Sequence, residues 1–203
     1  MLRRALAPPI AMIEDEIAAA IESFASAAVT AERAGFDGVE VHAAHGYLLS
    51  QFLSPLTNRR RDGWGGTLAG RYRIVVEVVR KIRHRVGNTF AVAVKLNASD
   101  FEDGGLTEND AVHVAATLQR EGIDLLEVSG GSATHWLTLL GGGPPPTDGY
   151  FSGCVEHIRR AVDVPLMLTG GLRDADMIRD LVRRGVVDVV GLARPFAVKP
   201  DVA

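Results

Sequence analysis

The chain is 203 residues long, 47% hydrophobic and carries a formal net charge of -3, which allows one buried core and leaves no basic surplus for nucleic acid. Its single cysteine, Cys154, excludes an internal disulfide and a thiolate metal cluster. No apolar run approaches the length of a membrane span, and MLRRALAPPIAMIEDE lacks the continuous apolar core of a signal peptide, so a cytoplasmic location with no membrane partner is expected.

Helical and strand patterns then alternate without a linker. Alanine-rich residues 13–34, acidic at their start, read as a helix closed by Gly35, and a strand begins over Val39 to Val41. Thr67 to Val86 is amphipathic and ends at Gly87, before a strand over Phe90 to Leu96. Thr107 caps a third helix running to Glu121, with Asp110 three residues on and Gly122 as its stop, and Leu125 to Ser129 is the next strand. A glycine- and proline-rich loop, Gly130 to Gly149, precedes a helix near Val155 to Val162. The strand Pro165 to Thr169, a helix near Ala175 to Arg184 and the strand Val187 to Leu192 complete the series.

Repeated helix-then-strand means an α/β fold with a parallel sheet, and near-continuous apolar strands mean that both faces are covered. A doubly wound sheet is the competitor, but no GxGxxG follows the first strand, so a (β/α) barrel is preferred. A complete eight-stranded barrel takes roughly 250 residues. This chain shows about five strands and opens on a helix with no strand before it. The expected architecture is one domain over residues 1–203, a partial (β/α)8 TIM barrel with about strands 4 to 8, lacking the first strands and the last helix. Its open sheet edges would recruit a second copy or a complementing barrel half, or aggregate.

In parallel α/β proteins the residues just past the strand ends reach the ligand. The first strand discharges into His42, His45 and Tyr47, two switchable donors and a phenol on one short loop. That trio can bind a carbonyl oxygen and deliver a proton. At the end of the next strand AVAV leads to Lys95, a cation among apolar neighbours that needs a partner; a structural ion pair with Asp100 or Glu127 is one answer. TGGL at Thr169 to Leu172 and GLARPF at Gly191 to Phe196 close the last two strands, where barrel enzymes commonly bind phosphate. Gly170, Gly171, Ala193 and Arg194 are the phosphate candidates, backbone N–H groups with one guanidinium. No metal site is expected, since His135 and His157 lack ligand spacing. Arg59, Arg60 and Arg61 are an anion-steering patch, support for the loop through Asp62 or, as the preferred reading, solvated side chains; Trp64 packs that loop; Trp136 and Gly141 to Pro146 lie where a substrate cover would sit.

HAAHGYLLSQFLSP, NRRRDGWGG, KLNASDFEDGG, LLEVSGG, LTGGL and GLARPF, in this order, resemble the carboxyl-terminal part of the Old Yellow Enzyme family, and the similarity covers nearly the whole chain. The resemblance implies an eight-stranded barrel that holds FMN noncovalently, takes reducing equivalents from NADH or NADPH, and reduces the activated C=C bond of α,β-unsaturated carbonyl compounds. It implies that His42 and His45 bind the substrate carbonyl, that Tyr47 gives a proton to the α-carbon, and that Lys95 takes the place of a basic residue, often arginine, at the flavin's pyrimidine edge. Gly70 departs from the asparagine usual before Arg71, and the family's contacts to flavin N5 and O4 have no counterpart in this chain. A truncated, inactive fragment or assembly module that binds no FMN by itself is therefore the alternative. A generic phosphate-binding barrel enzyme would leave the histidine-tyrosine loop unexplained.

Overall fold

Among the residues described by the computed structural model, 10–131, 149 and 151–201, five short apolar strands alternate with helices. The order is α1 (Glu14–Arg33), β1 (Gly38–Ala43), α2 (Leu48–Leu53), α3 (Leu68–Arg85), β2 (Ala91–Asn97), α4 (Glu108–Arg120), β3 (Leu125–Ser129), α5 (Ser152–Arg159), β4 (Leu166–Thr169), α6 (Ala175–Arg183), β5 (Val189–Gly191) and α7 (Arg194–Val198).

Every strand pairs in parallel with the next, in the order β1-β2-β3-β4-β5. A doubly wound sheet would reverse direction at a switch point; this one never does, so right-handed crossovers place successive helices on the same side. Alternation within the strands agrees. Val41, Ala43, Val92, Val94, Leu96, Leu126, Val128, Leu166 and Leu168 are buried. They meet the helices, where Ile74, Val75, Val78, Val79 and Ile82 form the inner stripe of α3 and Ala111, Val114, Ala115 and Leu118 that of α4. The other face is the inner wall of a partial TIM barrel. One row across it is His42, Lys95, Glu127, Met167 and Val189, set by the register.

The expected elements all occur, with boundary shifts of a few residues. Thr107 caps α4 in a reciprocal box, its hydroxyl accepting from Asp110 N–H while the Asp110 carboxylate accepts from Thr107 N–H. Two helices go beyond the expectation: α2, inside LLSQFL, and α7, five residues over the GLARPF motif. Among the described residues no helix is long and apolar enough to cross a membrane.

Candidate active site

The rim of the sheet is built by strand ends that stop in register. β1 delivers His42, and the chain then turns through His45 in the left-handed region, φ 61°, and Gly46, φ 76°. Few residues other than glycine enter that region, histidine more readily than most, and two contacts hold it there. The His45 N–H donates to Asn97 Oδ1 at 3.0 Å, and its Nε2 lies 2.8 Å from Ser129 Oγ. Asn97 is itself fixed, donating from Nδ2 to Asp100 Oδ1 and to the Gly131 carbonyl. Tyr47 is the N-cap residue of α2, which projects its ring to the surface, 63% exposed.

The three rings meet. His42 stands edge-on to His45 at 5.2 Å and to Tyr47 at 5.1 Å between centroids. Dehydration and the charge of Lys95 lower the basicity of both imidazoles, His45 to about 4 and His42 in the same direction. Both are therefore neutral near pH 7. Nδ1 of His42 accepts from the Ala44 N–H at 3.3 Å, which places the ring proton on Nε2 and makes that nitrogen a donor.

Lys95 reaches across to β3, where its Nζ lies 2.5 Å from Glu127 Oε1, with the two side chains 16% and 4% exposed. Of the two ion-pair partners the sequence offers, Glu127 is the one used; the Asp100 carboxylate instead accepts from Asn97 and from the Leu106 N–H. Glu40 lies on the same face of β1 as His42, near enough to Glu127 for each carboxyl to influence the ionisation of the other. Crowding by the lumen wall and the neighbouring Glu127 push the Glu40 carboxyl up to about 8. Because Glu40 is exposed to solvent, its acidic neighbour is the cause that carries weight. Burial opposes ionisation of Glu127, but the neighbouring Glu40 carboxyl and the contact with Lys95 outweigh that and keep it below the ordinary carboxylate value.

A cavity of about 140 Å³ opens at the ends of β4 and β5, lined by His45, Ser129, Thr169, Gly170, Gly171 and Ala193 among others. Gly170 (φ 109°) and Gly171 (φ 69°) are in the backbone region that glycine alone enters readily. A Cβ on Gly191 would lie 1.9 Å from Thr169 Oγ1, so this glycine lets the two strand ends close up. Among the described residues the buried Thr169 hydroxyl makes no hydrogen bond of normal geometry, although it sits near enough to Glu127 to favour that carboxylate. An orphaned donor beside a glycine-lined cavity suits an anionic group the size of a phosphate. The structure thus brings Gly170, Gly171 and Ala193 together with His45; the Arg194 side chain lies outside the described residues, as do His135, Trp136 and Gly141 to Pro146.

Several members of the rim were not singled out as site residues by the sequence. Asn97 and Ser129 end their strands inside KLNASD and LLEVSGG, and a polar residue closing an apolar strand is the signal that marks them. Glu40 carries a similar mark, an acid two residues before His42 in an apolar strand. Trp64 packs the loop, with the Arg73 guanidinium 4.1 Å over its ring; Arg60 pairs with Asp62 at 2.6 Å, while Arg59 and Arg61 are exposed. His157 pairs with Glu108 at 3.3 Å on the surface, and among the described residues no group of three His, Cys, Asp or Glu is placed to hold a metal ion.

The NADH-dependent flavin oxidoreductase iccE of Talaromyces variabilis is 38% identical over 203 residues, an alignment covering 95% of this chain and 48% of that protein. Among solved structures, 2-naphthoyl-CoA reductase superposes with a TM-score of 0.88 at 28% identity, over 96% of this chain and 29% of its own. The old yellow enzyme homologue from Zymomonas mobilis superposes at 0.74 with 27% identity, over 94% and 52%. The chain thus spans about half the length of these relatives, or less. The profile of the NADH:flavin oxidoreductase / NADH oxidase family, FMN-dependent enzymes that use NAD(P)H on small molecules, matches residues 4–203, and the chain belongs to that family.

Proposed function

We propose that this chain supplies the substrate-binding and phosphate-binding wall of an FMN-dependent NAD(P)H oxidoreductase that reduces the activated C=C bond of α,β-unsaturated carbonyl compounds. The observation that carries the reading is the cluster of two neutral histidines under an exposed tyrosine, beside a glycine-lined cavity. Gly170, Gly171, Ala193 and Arg194 would hold the FMN phosphate and Lys95 would face the ring, and bound FMN supplies the hydride chemistry.

The protein's own residues supply the rest. With Nδ1 engaged by Ala44, His42 offers Nε2–H to a carbonyl oxygen, where negative charge grows as the β-carbon is reduced. A neutral imidazole donates without giving its proton away, so the oxygen is stabilised while the carbanion carbon remains the site of protonation. His45, held by Asn97 and Ser129, is the second contact to that oxygen. Tyr47, exposed over His42, delivers the proton to the α-carbon.

Among the described residues the inner wall is open and the outer edges of β1 and β5 have no strand partner, which favours a second reading of the isolated chain, in which it binds no FMN until a second copy or a complementing barrel half joins it. An FMN titration of the purified chain, followed by flavin fluorescence with size-exclusion chromatography, separates the two. Saturable binding supports the enzyme reading, and Tyr47→Phe in the binding species should then lower turnover of an α,β-unsaturated ketone by about 10²-fold while leaving FMN affinity in place. Unchanged turnover removes Tyr47 from the mechanism; no binding at any oligomeric state leaves the assembly reading.

A further inference from the structure

Asp100 is a buried acid, 2% exposed just past the end of β2, that neither the histidine-tyrosine trio nor the glycine-lined cavity employs. Its two oxygens have separate duties. Oδ2 accepts from the Leu106 N–H at 2.8 Å while the Asp100 N–H donates to the Leu106 carbonyl at 3.0 Å, so one side of the residue closes the loop between them. That loop is shaped around the acid. Phe101 enters the left-handed region at φ 56°, which a bulky residue adopts only where its surroundings hold it, and a Cβ on Gly105 would lie 2.9 Å from Oδ2. Oδ1 is turned the other way and accepts from Asn97 Nδ2 at 3.3 Å.

Asn97 is completely buried and lies between this acid and the active-site loop. An amide has a donor end and an acceptor end, and its neighbours decide which way it points. Asp100 Oδ1 and the Gly131 carbonyl, the latter at 3.2 Å, engage the NH2 end, which turns Asn97 Oδ1 toward the His45 N–H at 3.0 Å. Reversed, the amide would set its oxygen against two acceptors and its N–H groups against a donor. We propose that Asp100 is a positioning residue for His45, acting through Asn97: the carboxylate fixes the amide, and the amide anchors the left-handed turn that carries His45 between His42 and Tyr47. The inference rests on the reading of His45 as a contact to the substrate carbonyl. Of the two acceptors that orient Asn97, Gly131 acts through its backbone, whereas Asp100 acts through a side chain that substitution can remove.

Hydrogen exchange followed by NMR on the full chain without FMN is the first test. The His45 N–H and the Asn97 side-chain N–H groups should exchange slowly in the parent; rapid exchange at Asn97 would overturn the proposal without any variant. Asp100→Asn keeps the size of the side chain but offers one acceptor oxygen to two donors, so the His45 N–H should exchange at least about tenfold faster. If only the Leu106 N–H loses protection and His45 keeps it, Asp100 closes its loop and does nothing more, and the proposal fails. The second test is turnover of an α,β-unsaturated ketone by the FMN-binding species. Asp100→Asn should lower kcat by about tenfold and leave the FMN dissociation constant within about twofold, because a displaced carbonyl contact acts on the reacting geometry. His45→Ala separates the failures. If it turns over the ketone as the parent does, the carbonyl reading of His45 is wrong, and hydrogen exchange still decides whether Asp100 holds it; if it loses turnover while Asp100→Asn retains it, the positioning role is wrong. Should the parent bind no FMN, the exchange measurement alone decides.

Discussion

His45 concentrates the chemistry of the rim in one residue. Its left-handed backbone is held by Asn97, its ring by Ser129, and burial, with the charge of Lys95 nearby, makes the imidazole hard to protonate. The folded value of about 4 lies below the ordinary 6.5, so between those pH values the unfolded chain takes up a proton that the folded chain refuses. Stability is therefore complete above about pH 6.5 and is lost as pH falls toward 4. The full shift corresponds to roughly 3 kcal/mol, an upper figure for a half-buried ring. Urea unfolding at several pH values should show this acid-side loss in the parent and a flatter curve in His45→Gln; equal slopes would mean that His45 protonates freely in the folded protein. Asn97→Ala should lower stability by about 1 to 3 kcal/mol by leaving the His45 N–H without its acceptor, and it should broaden the His45 ring resonances in NMR.

At the scale of elements, α3 shows how a departure from the family pattern is accommodated. Thr67 caps the helix by accepting from the Gly70 N–H, and this brings the first turn against the preceding loop. A Cβ at Gly70 would lie 2.2 Å from the Gly65 carbonyl oxygen, a backbone atom that cannot swing aside. Gly70→Ala should therefore destabilise by at least about 1 to 3 kcal/mol in chemical denaturation, and the family's asparagine at this site should do no better. A neutral substitution would mean that loop and helix separate at little cost. The same contrast explains what could be read from the sequence. β2, β3 and α4 were legible because their apolar residues repeat with the period of the element and Thr107, Asp110 and Gly122 mark its ends. α2 was not, since LLSQFL is too short for a helical period to emerge. α5 starts at Ser152, three residues before the pattern suggested, because Phe151 occupies its cap position with no side-chain hydrogen bond to announce it. The histidine-tyrosine loop was legible as a local run. The pairing of Lys95 with Glu127 was legible only as one of two choices, because parallel register, which no local pattern records, is what brings these distant positions together.

At the scale of the molecule, the sheet is covered on one face and open on the other. Helices bury Val92, Val94, Leu126, Val128 and Leu168 completely, whereas Val189 on the inner wall is 45% exposed and Glu40 faces solvent. In a closed barrel such an inner face is filled by side chains from opposing strands. Here β1 presents six residues whose outer edge has no strand partner among the described residues, and β5 ends the sheet on the other side. An open wall beside strand-edge N–H and C=O groups is a template for another strand. Sedimentation velocity should thus reveal association beyond one chain as concentration rises, and Val189→Lys, which places a charge on the inner wall while leaving the helix-facing core intact, should shift the distribution toward monomer. Association unaffected by Val189→Lys but abolished by a proline in β1, at Val39, would place the contact on the strand edge rather than on the wall. Monomer at every concentration would show that the open face is tolerated by this chain, and FMN binding by such a monomer would mean that five strands suffice to hold the flavin.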